Sequence, residues 1–261
     1  MAEQIPLKAV KSSGVATALA EYAAGDYDAP IYLPPIFTDY ISGLVMTWIS
    51  GTSISVSSGA CYVPSLGYVL AFPTAVTKSS LPLGANNWYH IYGFLNGATP
   101  DVEIVTTAPA TPYSGKARTK TGDTSRRYIG SFRTDASGNI HNFDHSPQKG
   151  EITYRLPGVQ FRVLSNGSAT TATTISCSTA IPVTSRSAYG RVLNLASTSA
   201  NLIVGPGDAA VTTTDYFVAV AFGGQAVVTY LPTDSSQQLK YLMSAAVSGA
   251  YIDLYGYAFE R

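Results

Sequence analysis

Along most of the chain, apolar and polar residues alternate in short runs separated by turn residues, the period-2 signature of half-buried β-strands. Between residues 39 and 149 the runs Leu44–Ile49, Gly67–Phe72, Trp88–Leu95, Val102–Thr107 and Tyr128–Arg133 are rich in β-branched and aromatic residues. Gly84-Ala85-Asn86-Asn87, Asn96-Gly97 and Ser137-Gly138-Asn139 separate them as turns or loops. In Trp88–Leu95, Trp88, His90, Tyr92 and Phe94 fall on one face and Tyr89, Ile91, Gly93 and Leu95 on the other. Both faces are largely apolar, which predicts a central strand of a sandwich or one covered by a partner chain. His145–Gly150 is polar and turn-prone and marks the expected domain boundary. Beyond it the pattern restarts, with strands expected at Gln160–Leu164, Thr173–Cys177, Arg191–Leu195, Asn201–Val204, Thr214–Phe222, Ala226–Leu231, Leu239–Val247 and Ala250–Phe259. Their spacing is near the roughly 8–12 residues of a sandwich or barrel.

The first 38 residues differ. Ala16–Ala24 predicts a short helix that Gly25 stops. Asp26–Pro35 follows, where Pro30, Pro34 and Pro35 favour extended backbone. Neither stretch can bury a core of its own, so this region reads as an arm lying on something else. The expected architecture is mainly β: an arm over 1–38, a first β-domain over 39–149 and a C-terminal β-domain over 150–261, each an antiparallel β-sandwich or jelly roll.

Composition narrows the functional classes. Charged residues make up 12% of the chain against 46% hydrophobic; the charge is about half the ~25% of an average domain, and the apolar share excludes a disordered chain. Sixteen basic residues balance 16 acidic ones, so the net charge is zero. Duplex recognition needs a basic footprint, and nucleic acid is not an expected partner. The longest apolar run, around Tyr216–Phe222, is strand-sized, so no membrane insertion is expected. The N-terminus has no apolar signal-peptide core, and export by the general route is not expected either. Low charge with many hydroxyls suits surfaces covered by further copies of the chain, and a homotrimer is the expected assembly. Cys61 and Cys177, far apart in sequence, read as two free buried thiols, with one inter-domain disulfide as the alternative.

Catalytic chemistry is poorly supplied. There is no Gly-x-Ser-x-Gly elbow and no phosphate-binding Walker loop. His141 and His145 have the i, i+4 spacing of a helical metal pair, but Ser137-Gly138-Asn139 and Ser146-Pro147 around them predict loop, and surface histidines are the favoured reading. His90 lies in an apolar strand and reads as a core or interface histidine bonded to backbone. Asp101 and Glu103 share one strand face; they read as edge charges or glycan contacts rather than a glycosidase pair. No catalytic residue, metal site or cofactor is expected.

Two clusters offer binding chemistry. Lys116, Arg118 and Lys120 alternate within a basic stretch that continues through Arg126, Arg127 and Arg133. They are candidates for an anionic ligand such as lipopolysaccharide phosphate or for an acidic neighbour; pairing with the protein's own carboxylates is the favoured alternative. Tyr251, Tyr255 and Tyr257 share one face of the last strand with Asp253. They are candidates for a glycan platform or, more in keeping with tyrosine's enrichment at interfaces, for a subunit contact.

Lys8–Pro35 (KAVKSSGVATALAEYAAGDYDAPIYLPP) resembles the N-terminal attachment segment of tailed-bacteriophage fibre and spike proteins. Trp88–Gly93 (WYHIYG), Gly122–Arg133 (GDTSRRYIGSFR), Thr134–Phe143 (TDASGNIHNF) and Tyr251–Arg261 (YIDLYGYAFER) are similar to segments of such virion proteins. The chain departs from long fibres in lacking heptads, a collagen-like Gly-x-y period and a β-helix repeat. The resemblance implies a non-enzymatic virion structural protein: a short tail fibre, a head or collar spike, or an adaptor. It would be made in the host cytoplasm and anchored to capsid, collar or tail proteins by its arm. Its β-domains would project to contact a host surface glycan or to dock a further fibre. The alternatives are a virion polysaccharide depolymerase, a capsid decoration protein and a non-viral lectin.

Overall fold

A computed structural model of the chain describes the backbone of residues 7–12, 15–21, 38–155 and 161–261, and side chains from residue 38 onward within those ranges. Leu7–Ser12 (β1) and Val15–Glu21 (β2) form an antiparallel hairpin, paired from Leu7↔Glu21 to Ser12↔Val15 with a register shift between Val10 and Lys11. Strand therefore stands over Ala16–Glu21, where a helix was expected for Ala16–Ala24; the remainder of that stretch lies outside the described residues. A helix of so few residues is marginal in water, and propensity is a weak prior. Pairing across the hairpin meets the backbone's hydrogen-bonding requirement instead. The proline-rich stretch Asp26–Pro35 lies outside the described residues.

The next strands are β3 (Ile41–Gly43), β4 (Met46–Ser50), β5 (Ser53–Val56), β6 (Gly59–Val63), β7 (Tyr68–Phe72), β8 (Val76–Lys78), β9 (Trp88–Asn96), β10 (Thr99–Val105), β11 (Thr119–Lys120) and β12 (Asp123–Arg133). They are followed by β13 (Phe143–Ser146), β14 (Glu151–Tyr154), β15 (Phe161–Gly167), β16 (Thr173–Ser176), β17 (Ser185–Asn194) and β18 (Leu202–Pro206). The chain closes with β19 (Val218–Val220), β20 (Gln225–Pro232), β21 (Gln238–Met243) and β22 (Ala250–Phe259). No helix occurs among the described residues, and the fold is mainly β, as the alternation predicts.

All pairings among these strands are antiparallel. The central sheet runs β13-β14-β22-β17-β20, with β15 also on β22. Around it lie a β10-β9-β12-β11 sheet, a β16-β21-β18-β19 sheet and two three-stranded sheets, β3-β6-β7 and β4-β5-β8. The β9–β12 sheet meets the central sheet through β22. Tyr257 packs edge-on against Trp88 with ring centroids 5.9 Å apart, and its hydroxyl donates to the Ser131 carbonyl at 2.8 Å. Phe259 meets Tyr128 edge-on at 6.4 Å. One apolar cluster runs from Leu44 through Ile91, Ile129 and Ile152 to Val192, Leu239 and Phe259. The division expected after residue 149 falls on the turn between β13 and β14, and this cluster continues across it. Cys61 and Cys177 are free thiols inside it, and burial pushes both up to about 12.

Candidate functional site

The closing strand β22 decides which tyrosines face outward. Along Ala250–Leu254, Ile252 and Leu254 point into the core while Tyr251 and Asp253 face out. Strict alternation would put Tyr255 and Tyr257 on the outer side too. The ladder to β17 slips here: Tyr189 pairs with Gly256 but Gly190 pairs with Leu254, which leaves Tyr255 as an extra residue. Such a bulge reverses the faces beyond it. Tyr257 and Phe259 therefore turn inward, and Tyr257 is fully buried. Gly190 and Gly256 permit this crowding, because a Cβ on either would collide with a carbonyl oxygen, that of Asp253 or of Ile152 respectively. The expected triad is thus corrected: Tyr251 and Tyr255 are half-buried on the outer face, and Tyr257 is a core residue unable to touch a glycan or a partner.

The outer face carries a charged centre flanked by rings. Asp253, with no exposed side-chain surface, accepts from Arg162 Nε at 2.7 Å and Nη2 at 3.2 Å and from Arg191 Nη2 at 2.6 Å. The Arg162 guanidinium lies over the Tyr251 ring at 4.8 Å. Burial raises the Asp253 carboxyl's pKa, but the two arginines outweigh it and hold it below the usual carboxylate range. Toward β20, Tyr189 meets Tyr230 at 4.9 Å and Tyr255 at 6.4 Å. Beyond β20 no further strand joins this sheet among the described residues, and the sequence Gln225-Ala226-Val227-Val228 is exposed throughout. Val228 retains 51% of its surface; Leu195 and Phe222, beside the turn into β20, are also exposed. No Lys, Arg, Asp or Glu lies in this edge strand, although edge strands are ordinarily blunted by charge.

Lys116, Arg118 and Lys120 do point to one side, since Ala117 and Thr119 between them are buried. They do not form a free basic surface. Lys116 and Arg118 lie 3.6 and 3.9 Å from the Glu260 carboxylate, and Lys120 lies 2.9 Å from Glu103. Arg126 shares Glu103 at 3.3 Å and stacks on Phe94 at 3.8 Å. Arg127 is fully buried and donates to the carbonyls of Tyr128, Arg118 and Asp39. The intramolecular alternative describes the geometry: the cations neutralise carboxylates from β10 and the C-terminus.

The same pairs occupy Asp101 and Glu103. Asp101 holds Lys78 at 2.8 Å, and Glu103 is shared by Lys120 and Arg126. His90 bonds the Ser131 hydroxyl at 2.7 Å rather than backbone, and Ser131 in turn contacts Tyr128, which reaches Thr184. This Ser–His pair lies in the core, where burial depresses His90 to about 4, so substrate has no access to it. His145 is half-buried. Its Nδ1 accepts the Met46 N–H at 2.9 Å, and burial lowers it to about 3. His141 packs edge-on against Phe161 at 5.1 Å, apart from those bonds. No group of three His, Cys, Asp or Glu residues able to hold a metal ion occurs among the described residues.

Sequence reasoning missed Tyr189 and Tyr230, which complete the outer aromatic row. Their cross-strand pairing, Tyr189↔Tyr230, depends on a register that one sequence does not state. In comparisons with known proteins, no family model matches this chain and no curated protein matches it.

Proposed function

We propose that the protein is a non-enzymatic structural component that assembles with copies of itself through the β20 edge, in the role of a phage virion spike, short fibre or adaptor. The observation carrying this reading is the uncharged edge strand Gln225–Pro232, exposed at Gln225–Val228 and Tyr230, with exposed Leu195 and Phe222 beside it. A free strand edge presents a row of unpaired N–H and C=O groups and templates another chain. A second copy is the occupant favoured here, because neither the strand nor the chain as a whole, with zero net charge, calls for a charged partner. Contact of β20 with a different surface of the next copy closes a ring, and three copies fit the virion role. The attachment role of residues 1–38 rests on their sequence resemblance. The absence of enzymatic activity is supported by the cations held on Asp101 and Glu103 and by the buried position of the Ser131–His90 pair.

Sedimentation equilibrium of the full chain tests the reading. A species of three times the 27.5 kDa chain mass is expected at micromolar concentration. A stable monomer overturns self-assembly. A dimer keeps assembly but replaces the ring with a two-fold contact of β20 with itself.

A further inference from the structure

The end of β12, the loop after it and the start of β15 enclose an open cleft of about 400 Å3. Arg133, Asp135, Ser137, His141, Phe161 and Arg162 contribute to its lining. Its chemistry is set by one residue. The eight other arginines each donate a hydrogen bond or lie in an ion pair: Arg118, Arg126, Arg127, Arg155, Arg162, Arg186, Arg191 and Arg261. Arg133 has neither among the described residues. It lies over the Trp88 ring at 5.8 Å, half-buried, so it bears a desolvation cost that no carboxylate offsets.

Asp135, the acid nearest in sequence, is engaged elsewhere. Its Oδ1 accepts the N–H groups of Ser137 and Asn139, both at 2.8 Å, and closes the loop between Thr134 and Ile140. Arg162 is turned to Asp253 by two bonds. The cleft therefore holds one unneutralised guanidinium, with a carboxylate at its rim that disfavours a dianion. The wall is aromatic: Phe161 and the His141 ring meet edge-on at 5.1 Å. Ser137, Thr179 and Asn86 also line it.

We infer that this cleft binds the carboxylate of an acidic sugar, with the Arg133 fork taking the carboxylate and the aromatic wall taking the ring. A planar guanidinium matches a carboxylate through two parallel N–H···O bonds. The single uncompensated charge fits a monoanion better than a phosphate dianion. The volume lies within the range of about 300–1,000 Å3 usual for small-ligand sites. The inference does not rest on the assembly reading, since the cleft lies away from β20 in sequence and its test needs no oligomer.

Ligand-observed NMR and calorimetry on the full chain, with glucuronate, N-acetylneuraminate, glucose and inorganic phosphate as separate probes, test it. At least one of the two acidic sugars should bind, and glucose and phosphate should bind more weakly by about tenfold or more. Arg133→Gln should weaken the acidic sugar about ten- to hundredfold, the scale of lost charge-assisted hydrogen bonds. Arg133→Lys should retain part of the affinity, because it keeps the charge and loses the fork. Lys116→Gln, at the ion pair with Glu260, should change nothing. Because the Arg133 guanidinium makes no hydrogen bond or ion pair and gives up only its contact with the Trp88 ring, its variants should melt within a few degrees of the wild type. Glucose binding as tightly as glucuronate, phosphate binding tighter than both acidic sugars, no binding of either acidic sugar at millimolar concentration, or an unaltered Arg133→Gln would each overturn the inference.

Discussion

β22 and β20 flank the same strand, β17, and their sequences are alike in kind: AYIDLYGYAF against QAVVTYLP, apolar residues with tyrosine. Their surroundings are opposite. β22 is paired on both edges and nearly every residue is buried, whereas β20 is paired on one edge and its first four residues are exposed. Hydrophobicity along the chain therefore does not say which strand is covered. Position in the sheet does, and an apolar strand left at the edge has to be explained by what covers it. The comparison also separates two kinds of tyrosine. Tyr257 is a core residue with its hydroxyl satisfied at Ser131, while Tyr230, across β17, meets Tyr189 at a tilt on the rim.

The covered strand should be the sensitive one. Tyr257→Ala removes a fully buried ring that touches Trp88, Tyr154 and Phe259, and should cost about 3–5 kcal/mol in denaturant unfolding. A loss below ~1 kcal/mol would mean that β22 does not join the two sheets. Asp253→Asn, on the outer side of the same strand, should cost less, about 2 kcal/mol. It leaves two guanidiniums short of a counter-charge, but their side chains retain 35% and 31% exposure and water takes up part of the deficit. Its effect should depend on pH. A carboxyl held below its unfolded value of 3.8 contributes fully above that pH and loses its contribution as the pH falls through the folded value. The wild-type advantage over Asn should therefore persist from neutral pH down to about 4 and vanish in stronger acid; an advantage that grows below pH 4 would contradict the pairing.

How much of this the sequence displays depends on whether local pattern or register decides the outcome. The bounds of β22, Ala250–Phe259, follow from composition and turn residues alone, and Trp88–Leu95 falls within one residue of β9. Ser53–Val56 and Gly59–Val63 are strands that the pattern hides, because their serines and Gly59 read as turn. Thr214–Phe222 shrinks to Val218–Val220, the apolar residues around it serving a loop instead. The tyrosine row was half legible. Tyr251 and Tyr255 lie where alternation puts them, and the bulge at Tyr255 moves Tyr257 to the other side. A bulge shows itself only in the partner strand's register, which local periodicity does not contain. Arg133 was visible as part of a basic stretch, but its lack of a partner is a tertiary fact: the carboxylates that neutralise its neighbours come from β10 and the C-terminal Glu260.

The edge strand should respond in the opposite way to the covered one. Val228 faces solvent on β20, opposite Arg191 of β17, and its N–H and C=O groups lie on a strand paired on one side only. Val228→Lys puts a charge on the edge, the device by which edge strands are ordinarily blocked. The Val228 side chain is half exposed and the new charge stands across from Arg191, so the unfolding free energy of a single chain should move by no more than about 1 kcal/mol. The assembled species should nevertheless dissociate, because docking β20 on another copy would bury the new ammonium without a partner. Sedimentation of Val228→Lys beside wild type, with thermal melts of both, reads the two effects separately. A lysine variant that remains assembled would place the contact elsewhere, with the aromatic row at Tyr189, Tyr230 and Tyr255 the next surface to alter. A variant that loses stability as a monomer would show that β20 belongs to the core despite its exposure, and the contrast with β22 would then be one of degree.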